Sequence, residues 1–464
     1  MSERPRVCII LEGSYPYVTG GVSAWTHDLI INLPEIDFVL FTISPEKDME
    51  LRYSLPDNVV EHADIVLNKH YESTAKPASK KKLMQAVNNA HNLFRANSVD
   101  NFEELINIIP EGFFLYDEAV KSTTGWNMIV EANQKHNPMY AFTDYYWAWK
   151  SSHDMLFTII GSRLPEADIY HAISTGFAGI AASAAKIRKK KPLILTEHGL
   201  YHKEREMEIR KSDMIRGYQR DMWIRLYNGF SRICYSQADR IISLFEENRR
   251  KQHELGANQS ITEVIPNGID LPRFSIQREE KDGFHVGLVG RVVPIKDIKT
   301  YISTAKIVLE RIPEATFYCI GPMDEDPGYY RDCEMLVKSF KITDRFIFTG
   351  RQNVLDYYKF LDVLVLTSVR EAQPLVILEG YCGGVPAVAT AVGNIPEMLD
   401  YDDRFLAPSK DSEKLAECIQ FVHEHPDEMK IINEANKQKA ITFYNKTDLH
   451  RKYLKIYRET AGKA

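Results

Sequence analysis

The chain begins with an unbroken apolar run, Val7 to Leu11, that stops at Glu12, and after Gly20-Gly21 the residues Val22, Trp25, Leu29 and Leu33 recur at helical spacing. Short apolar runs bounded by turn residues predict buried strands, and apolar positions three and four apart predict an amphipathic helix. The opening therefore reads as strand, glycine turn, helix, with DFVLFTIS (37–44) as the next strand. From about 70 to 165 the period becomes helical, as in KKLMQAVNNAHNLF and YYWAWKSSHDMLFTII, which predicts a helical insertion. Strand runs resume at ADIYHAIS, PLILTEHG, ADRIISLF and ITEVIPNG.

The second half alternates more regularly: FHVGLVG, ATFYCIG, RFIFTG, DVLVLTS, VPAVATA and RFLAP are each followed by an amphipathic segment. Such alternation implies α/β architecture with a parallel sheet covered on both faces. Between the halves, PNGIDLPRFSIQREEKDG (266–283) is rich in Pro, Gly and charge and marks a linker. The expected organisation is 1–275 as an N-terminal domain carrying the insertion, 276–435 as a second domain, and 436–464 as a C-terminal helix that could pack on either.

Length changes this picture little, since 464 residues exceed one ordinary core and fit two domains. The balance of 58 Lys and Arg against 64 Asp and Glu gives a net charge of -6, which offers no global attraction to nucleic acid or an anionic membrane. Any anion site must be local. Six scattered cysteines lack the close pairs of zinc sites or disulfide frameworks and fit a reducing cytoplasm. No run is long enough for a signal-peptide core or a membrane span.

Open parallel sheets bind ligands beyond the carboxyl ends of their strands, where turns feed helix N-termini. In GLVGRVVPIKD, Arg291 and Lys296 follow a strand end and could clamp a diphosphate, one as a planar fork and one as a point charge. In REAQPLVILEG, Glu371 lies in a turn and Glu379 about two turns into a helix, with the amides of Leu375 and Val376 between them free to meet an anion. Carboxylates there can accept paired hydroxyls from a sugar ring or a ribose. Gly20 and Gly21 make either a simple tight turn or a place of close approach by a ligand. His198, just past PLILTE, is either structural or a partner for a sugar hydroxyl; His202 is expected on the surface. MDEDP (323–327) offers Asp324 and Asp326 as D-x-D metal ligands, against the simpler reading of a solvated loop.

Taken in order, PNGID, GRVVPIK, EAQPLVILE and GNIPE resemble the C-terminal domain of family 4 glycosyltransferases, which have the GT-B fold of two Rossmann-like domains facing a cleft. LEGSYPYVTGGVSAW, TEHGLYHKERE and GPMDEDPGYY are similar to the PelF-like branch, the cytosolic glycosyltransferases of Pel exopolysaccharide synthesis. The resemblance implies retaining, metal-independent transfer from a UDP-sugar to a growing carbohydrate, with no cofactor. It further implies that Arg291 and Lys296 hold the diphosphate, Glu379 the ribose and Glu371 the transferred sugar, that Gly20 and Gly21 approach the donor, and that His198 is the active-site histidine. The implied partners are the donor, a carbohydrate acceptor and a membrane-embedded export complex. One departure stands out: many members have Gly after the first glutamate, where this chain has Ala372 and Gln373. A GT-B epimerase, a phosphorylase and a nucleotide-sugar-binding scaffold subunit are the competing readings.

Overall fold

A computed structural model describes residues 4–462 apart from 68, 97–100, 117–118, 120, 137–140, 213–214 and 216, and apart from the side chains of 89–96, 135–136 and 218. The chain forms two compact units, Met1–Ile265 with His450–Ala464, and Pro266–Leu449. Residue 276, the expected boundary, thus lies inside the second unit.

The first unit is built on a seven-stranded sheet of β1 (Arg6–Glu12), β2 (Asp37–Ser44), β3 (Val59–Val66), β4 (Ile169–Ala172), β5 (Leu193–Glu197), β6 (Arg240–Ser243) and β7 (Thr262–Val264). Its spatial order is β3-β2-β1-β4-β5-β6-β7, and all pairs are parallel. β1 and β2 are buried almost throughout, which is why they read as continuous apolar runs. β3 was not expected from the sequence. Glu61, His62 and Asp64 interrupt its apolar residues because it is an edge strand, buried only at its end.

The segment between β3 and β4 is helical, with helices Lys80–Ala96, Phe102–Ile108, Thr123–His136 and Phe142–Gly161. Leu83, Phe102, Ile129 and Trp149 from this insertion share one core with Cys8 and Ile10 of β1. The helix Lys446–Thr460 returns the chain to the first unit, where Tyr453 and Tyr457 are buried.

The second unit holds a six-stranded parallel sheet of β8 (Phe284–Val289), β9 (Ala315–Ile320), β10 (Phe346–Gly350), β11 (Val363–Leu366), β12 (Ala387–Thr390) and β13 (Leu406–Ala407). Its order is β10-β9-β8-β11-β12-β13. Both sheets therefore reverse their winding once, between β1 and β4 in the first unit and between β8 and β11 in the second. Such a switch point opens a crevice at the carboxyl ends of the two strands. Among the described residues, no helix is long and apolar enough to cross a membrane.

Candidate functional site

At the switch point of the second unit, the loop after β8 meets the loop after β11. Thr367 Oγ1 donates to Lys296 O at 2.8 Å and the Val369 amide donates to Ile295 O at 2.9 Å, so the two loops are fastened side by side. Lys296 closes a short 3-10 turn, and its ammonium lies 2.5 Å from Glu371 Oε1. The two side chains are 20% and 15% exposed, so this is a sheltered ion pair rather than a surface one. Ser368 Oγ donates to the same Glu371 oxygen at 2.7 Å. Sequence reasoning missed Ser368, although its place directly after the apolar run DVLVLT was a usable signal.

The turn after β12 supports Glu371 from behind. Asn394 N donates to Ala372 O at 2.9 Å, and Gly393, at φ 57°, packs so closely that a Cβ there would stand 1.9 Å from Glu371 O. Gln373, in the departure from the family pattern, is buried, and its Oε1 accepts the Asn267 amide at 2.7 Å. That contact joins the linker turn PNGID to the glutamate turn.

Helix Leu375–Cys382 starts after Pro374 with no side chain capping it. Leu375 and Val376 are its first two residues, so their N–H groups have no carbonyl one turn back within the helix. Glu379 is the fifth residue of this helix, about one turn in rather than the two expected, because the helix begins only at Leu375. Its Oε2 accepts from the Tyr358 hydroxyl at 2.9 Å, and burial raises its carboxyl above the usual range while the tyrosine pulls the other way.

Arg291 stands apart from this cluster. Its Nη1 donates to both oxygens of Glu325, at 2.6 and 2.7 Å, and both side chains are about half exposed. Both bonds come from Nη1 alone, one of the three nitrogens of the guanidinium. Asp326 of the same acidic loop accepts the Tyr329 amide and caps helix Pro327–Ser339. Thus two of the three acids of MDEDP have structural partners.

At the switch point of the first unit, Glu12, Ser14, Ser174, His198, Tyr201 and Arg205 are among the residues lining a cavity of about 150 Å³. Glu12 accepts the Tyr201 hydroxyl at 2.7 Å and the Phe177 amide at 2.8 Å; burial raises its carboxyl. Glu197, at the end of β5, accepts from Thr175, Tyr201 N, Tyr235 and Gln252 and is fully engaged in holding these elements together. His198 follows it. The His198 ring packs edge-on to Trp25, with centroids 4.5 Å apart, its Nε2 is buried without a protein partner, and burial lowers its pKa to about 4. A neutral imidazole with one uncommitted nitrogen can exchange a hydrogen bond with a hydroxyl.

His171 is different: Nδ1 meets Tyr457 at 2.7 Å and Nε2 meets Thr196 at 2.8 Å, so both nitrogens are taken. His202, expected on the surface, is 4% exposed and its pKa falls to about 4, because its helix Tyr201–Lys211 turns that face inward. Gly20 and Gly21 open helix Gly21–Ile31, and a Cβ at either would meet nothing within 4 Å. Packing of the chain itself does not demand glycine at these two positions.

The comparisons with known proteins divide along the same line as the structure. Residues 5–260 match the family described as domain of unknown function (DUF3492), and residues 283–425 match the family described as glycosyl transferases group 1. N-acetyl-alpha-D-glucosaminyl L-malate synthase of Bacillus anthracis is 28% identical over 189 residues, 38% of this chain and 48% of that protein. UDP-Gal:alpha-D-GlcNAc-diphosphoundecaprenol alpha-1,3-galactosyltransferase of Escherichia coli is 27% identical over 270 residues, 54% of this chain and 65% of that protein. The matched stretches thus span about half to two thirds of these relatives' length.

Among solved structures, Anabaena Alr3699/HepE in complex with UDP aligns with a TM-score of 0.62 at 13% identity, covering 98% of this chain and all of that one. Sucrose-phosphate synthase from Thermosynechococcus elongatus aligns with a TM-score of 0.61 at 17% identity, covering 99% of this chain and all of that one. At such identities the likeness establishes the fold, two Rossmann-like domains of the GT-B type. The chain belongs to the DUF3492 family, and behind that domain it carries a group 1 glycosyltransferase domain.

Proposed function

We propose that the protein is a retaining, metal-independent glycosyltransferase that moves a sugar from a UDP-sugar onto a growing exopolysaccharide of the Pel type. The observation that carries the reading is the Lys296–Glu371–Ser368 cluster at the β8/β11 switch point, beside the uncapped helix at Leu375. A cation, a carboxylate and free amides together suit a donor whose diphosphate is anionic and whose sugar is a polyol. The names of the relatives point the same way, since the Escherichia coli protein is a UDP-Gal-dependent transferase.

In this reading Arg291 and Lys296 bind the diphosphate with the Leu375 and Val376 amides, Glu379 accepts the ribose hydroxyls, and Glu371 accepts hydroxyls of the transferred sugar. As the bond from the sugar to the diphosphate breaks, negative charge builds on the leaving phosphate. On this reading Lys296, Arg291 and the helix amides stabilise it, with the two cations exchanging Glu371 and Glu325 for the phosphates, which is the work a divalent ion does elsewhere. Gly20 and Gly21 admit the donor closely, and neutral His198 hydrogen-bonds a sugar hydroxyl. The acceptor is a carbohydrate, and the export partner is a membrane-embedded complex at the cytoplasmic face.

A thermal-shift panel tests the donor class directly, because a ligand that binds the folded state raises the melting temperature. UDP and UDP-sugars should shift it while NAD and ATP do not, and equal shifts from all would refute a dedicated uridine site. UDP release from UDP-sugars in the presence of acceptor should persist in EDTA. Restoration by magnesium of an activity lost in EDTA would overturn metal independence, and tight UDP binding without any sugar transfer would favour a scaffold subunit.

A further inference from the structure

Glu379 is half-buried, and its neighbour across the packing is Tyr358, the last residue of the short helix Val354–Tyr358. Tyr358 has no exposed surface; its ring meets Phe274 edge-on with centroids 6.3 Å apart, and its main-chain oxygen accepts Arg278 Nη1 at 2.6 Å. Ring and backbone are therefore both fixed. A phenol has a single hydrogen to give. Here it goes to Glu379 Oε2, at 2.9 Å.

A glutamate carboxylate turns about a broad terminal torsion, so packing alone sets its plane poorly. A hydrogen bond from an immobile donor to one named oxygen sets it well. It also commits Oε2 to the protein and leaves Oε1 as the oxygen available to a ligand. We propose that Tyr358 is a positioning residue for the nucleoside end of the donor: its hydroxyl holds the Glu379 carboxylate so that Oε1 meets the ribose hydroxyls. The inference rests on the UDP-sugar reading above and adds to it a residue that no sequence motif marks.

Two consequences separate this role from simple packing. A contact to ribose is the same in the ground and transition states, so losing the Tyr358 hydroxyl should raise KM and weaken UDP while leaving kcat nearly unchanged. The hydroxyl also favours the ionised carboxylate against the burial that raises its pKa. Without it, Glu379 should take up its proton at higher pH, and UDP binding should begin to fail at higher pH on acidification.

The experiment is calorimetric titration of UDP and of 2′,3′-dideoxy-UDP into the wild-type chain, Tyr358→Phe and Glu379→Ala, with UDP repeated across pH 5 to 8. Tyr358→Phe should bind UDP about tenfold more weakly, the scale of a hydrogen bond to a charged group. It should bind the dideoxy nucleotide as well as the wild type does, because that ligand has no hydroxyls for Glu379. Equal losses for both nucleotides, with an unshifted pH profile, would make Tyr358 a packing residue and overturn the proposal. Unchanged UDP binding in Tyr358→Phe, with a clear loss in Glu379→Ala, would overturn it while leaving the donor reading intact. If the wild type ignored UDP, or Glu379→Ala bound it normally, the donor reading itself would fall, and this inference with it.

Discussion

Gly393→Ala is the substitution whose outcome the structure constrains most tightly. At φ 57° the new Cβ would stand 1.9 Å from Glu371 O, 2.7 Å from Glu371 C and 3.1 Å from Ala372 O. Carbon-to-oxygen contacts normally stay beyond about 3.3 Å, so the two turns must separate by more than about 1 Å. Holding alanine in the left-handed region costs about 1–2 kcal/mol, and losing the Asn394-to-Ala372 backbone bond costs about 1 kcal/mol more. The second unit should therefore lose about 2–3 kcal/mol, which for a unit of this size lowers its melting temperature by roughly 5–10 °C.

Activity should suffer more than stability suggests. A displacement of about 1 Å in a positioned catalytic group can cost on the order of a hundredfold in rate. UDP has no transferred sugar for Glu371 to touch, so its affinity should change little. Scanning calorimetry, UDP titration and UDP-release kinetics on the folded variant read the three quantities separately. Full turnover at an unchanged melting temperature would show that the glycine turn does not support Glu371, and equal losses of UDP affinity and turnover would move Glu371 away from the sugar.

Further outcomes follow from the same groups. If Lys296 binds the donor diphosphate as proposed, Lys296→Ala should weaken UDP binding and slow turnover by on the order of a hundredfold, because its ammonium would meet both the bound diphosphate and the charge developing as it leaves; wild-type kinetics would remove it from the donor site. Glu371→Gln should retain UDP affinity in calorimetry and lose most transfer, and the reverse pattern would exchange the roles of the two glutamates. Urea unfolding of the first unit should become easier below pH 6.5. Burial lowers His153, His198 and His202 to about 4 and His171 to about 3 from an ordinary 6.5, so between those values the unfolded chain binds more protons than the folded one. Each ring then removes stability as pH falls, by up to about 1.4 kcal/mol per pH unit. Glu12 and Glu197, whose carboxyls are raised, act in the opposite sense and soften the loss as they protonate. A urea midpoint constant from pH 7 to pH 5.5 would contradict the neutral, buried state of these histidines.

The two parallel sheets were legible because their central strands are buried on both faces, so that Val7–Leu11 and Val363–Leu366 appear as plain apolar runs. β3 was not, since an edge strand carries Glu61, His62 and Asp64 where a central strand cannot. Period alone gives neither strand order nor the switch points, because pairing is a long-range choice; those emerge only from the β1/β4 and β8/β11 pairings. The glycosyltransferase family was readable from spaced motifs in the second unit. What pairs with what inside the site was harder. Lys296 and Glu371 are far apart in sequence and meet through loop geometry, and Tyr358 belongs to no motif at all. His202 misled because a charged neighbourhood, HKERE, surrounds a side chain that the helix turns inward.

The return of the chain to the first unit has a consequence for synthesis. Tyr453 and Tyr457 supply partners to Thr196 and His171 and close the packing beside Trp25, yet they are made only after all of Pro266–Leu449. At ribosomal rates the intervening stretch of roughly 180 residues takes about ten to forty seconds to emerge. During that interval the first unit waits with the buried face of His171 uncovered, a natural point for chaperone engagement. A premature stop near residue 450 would therefore injure the opposite end of the protein: the second unit would be complete, and the first, long since translated, would be the one left unfinished.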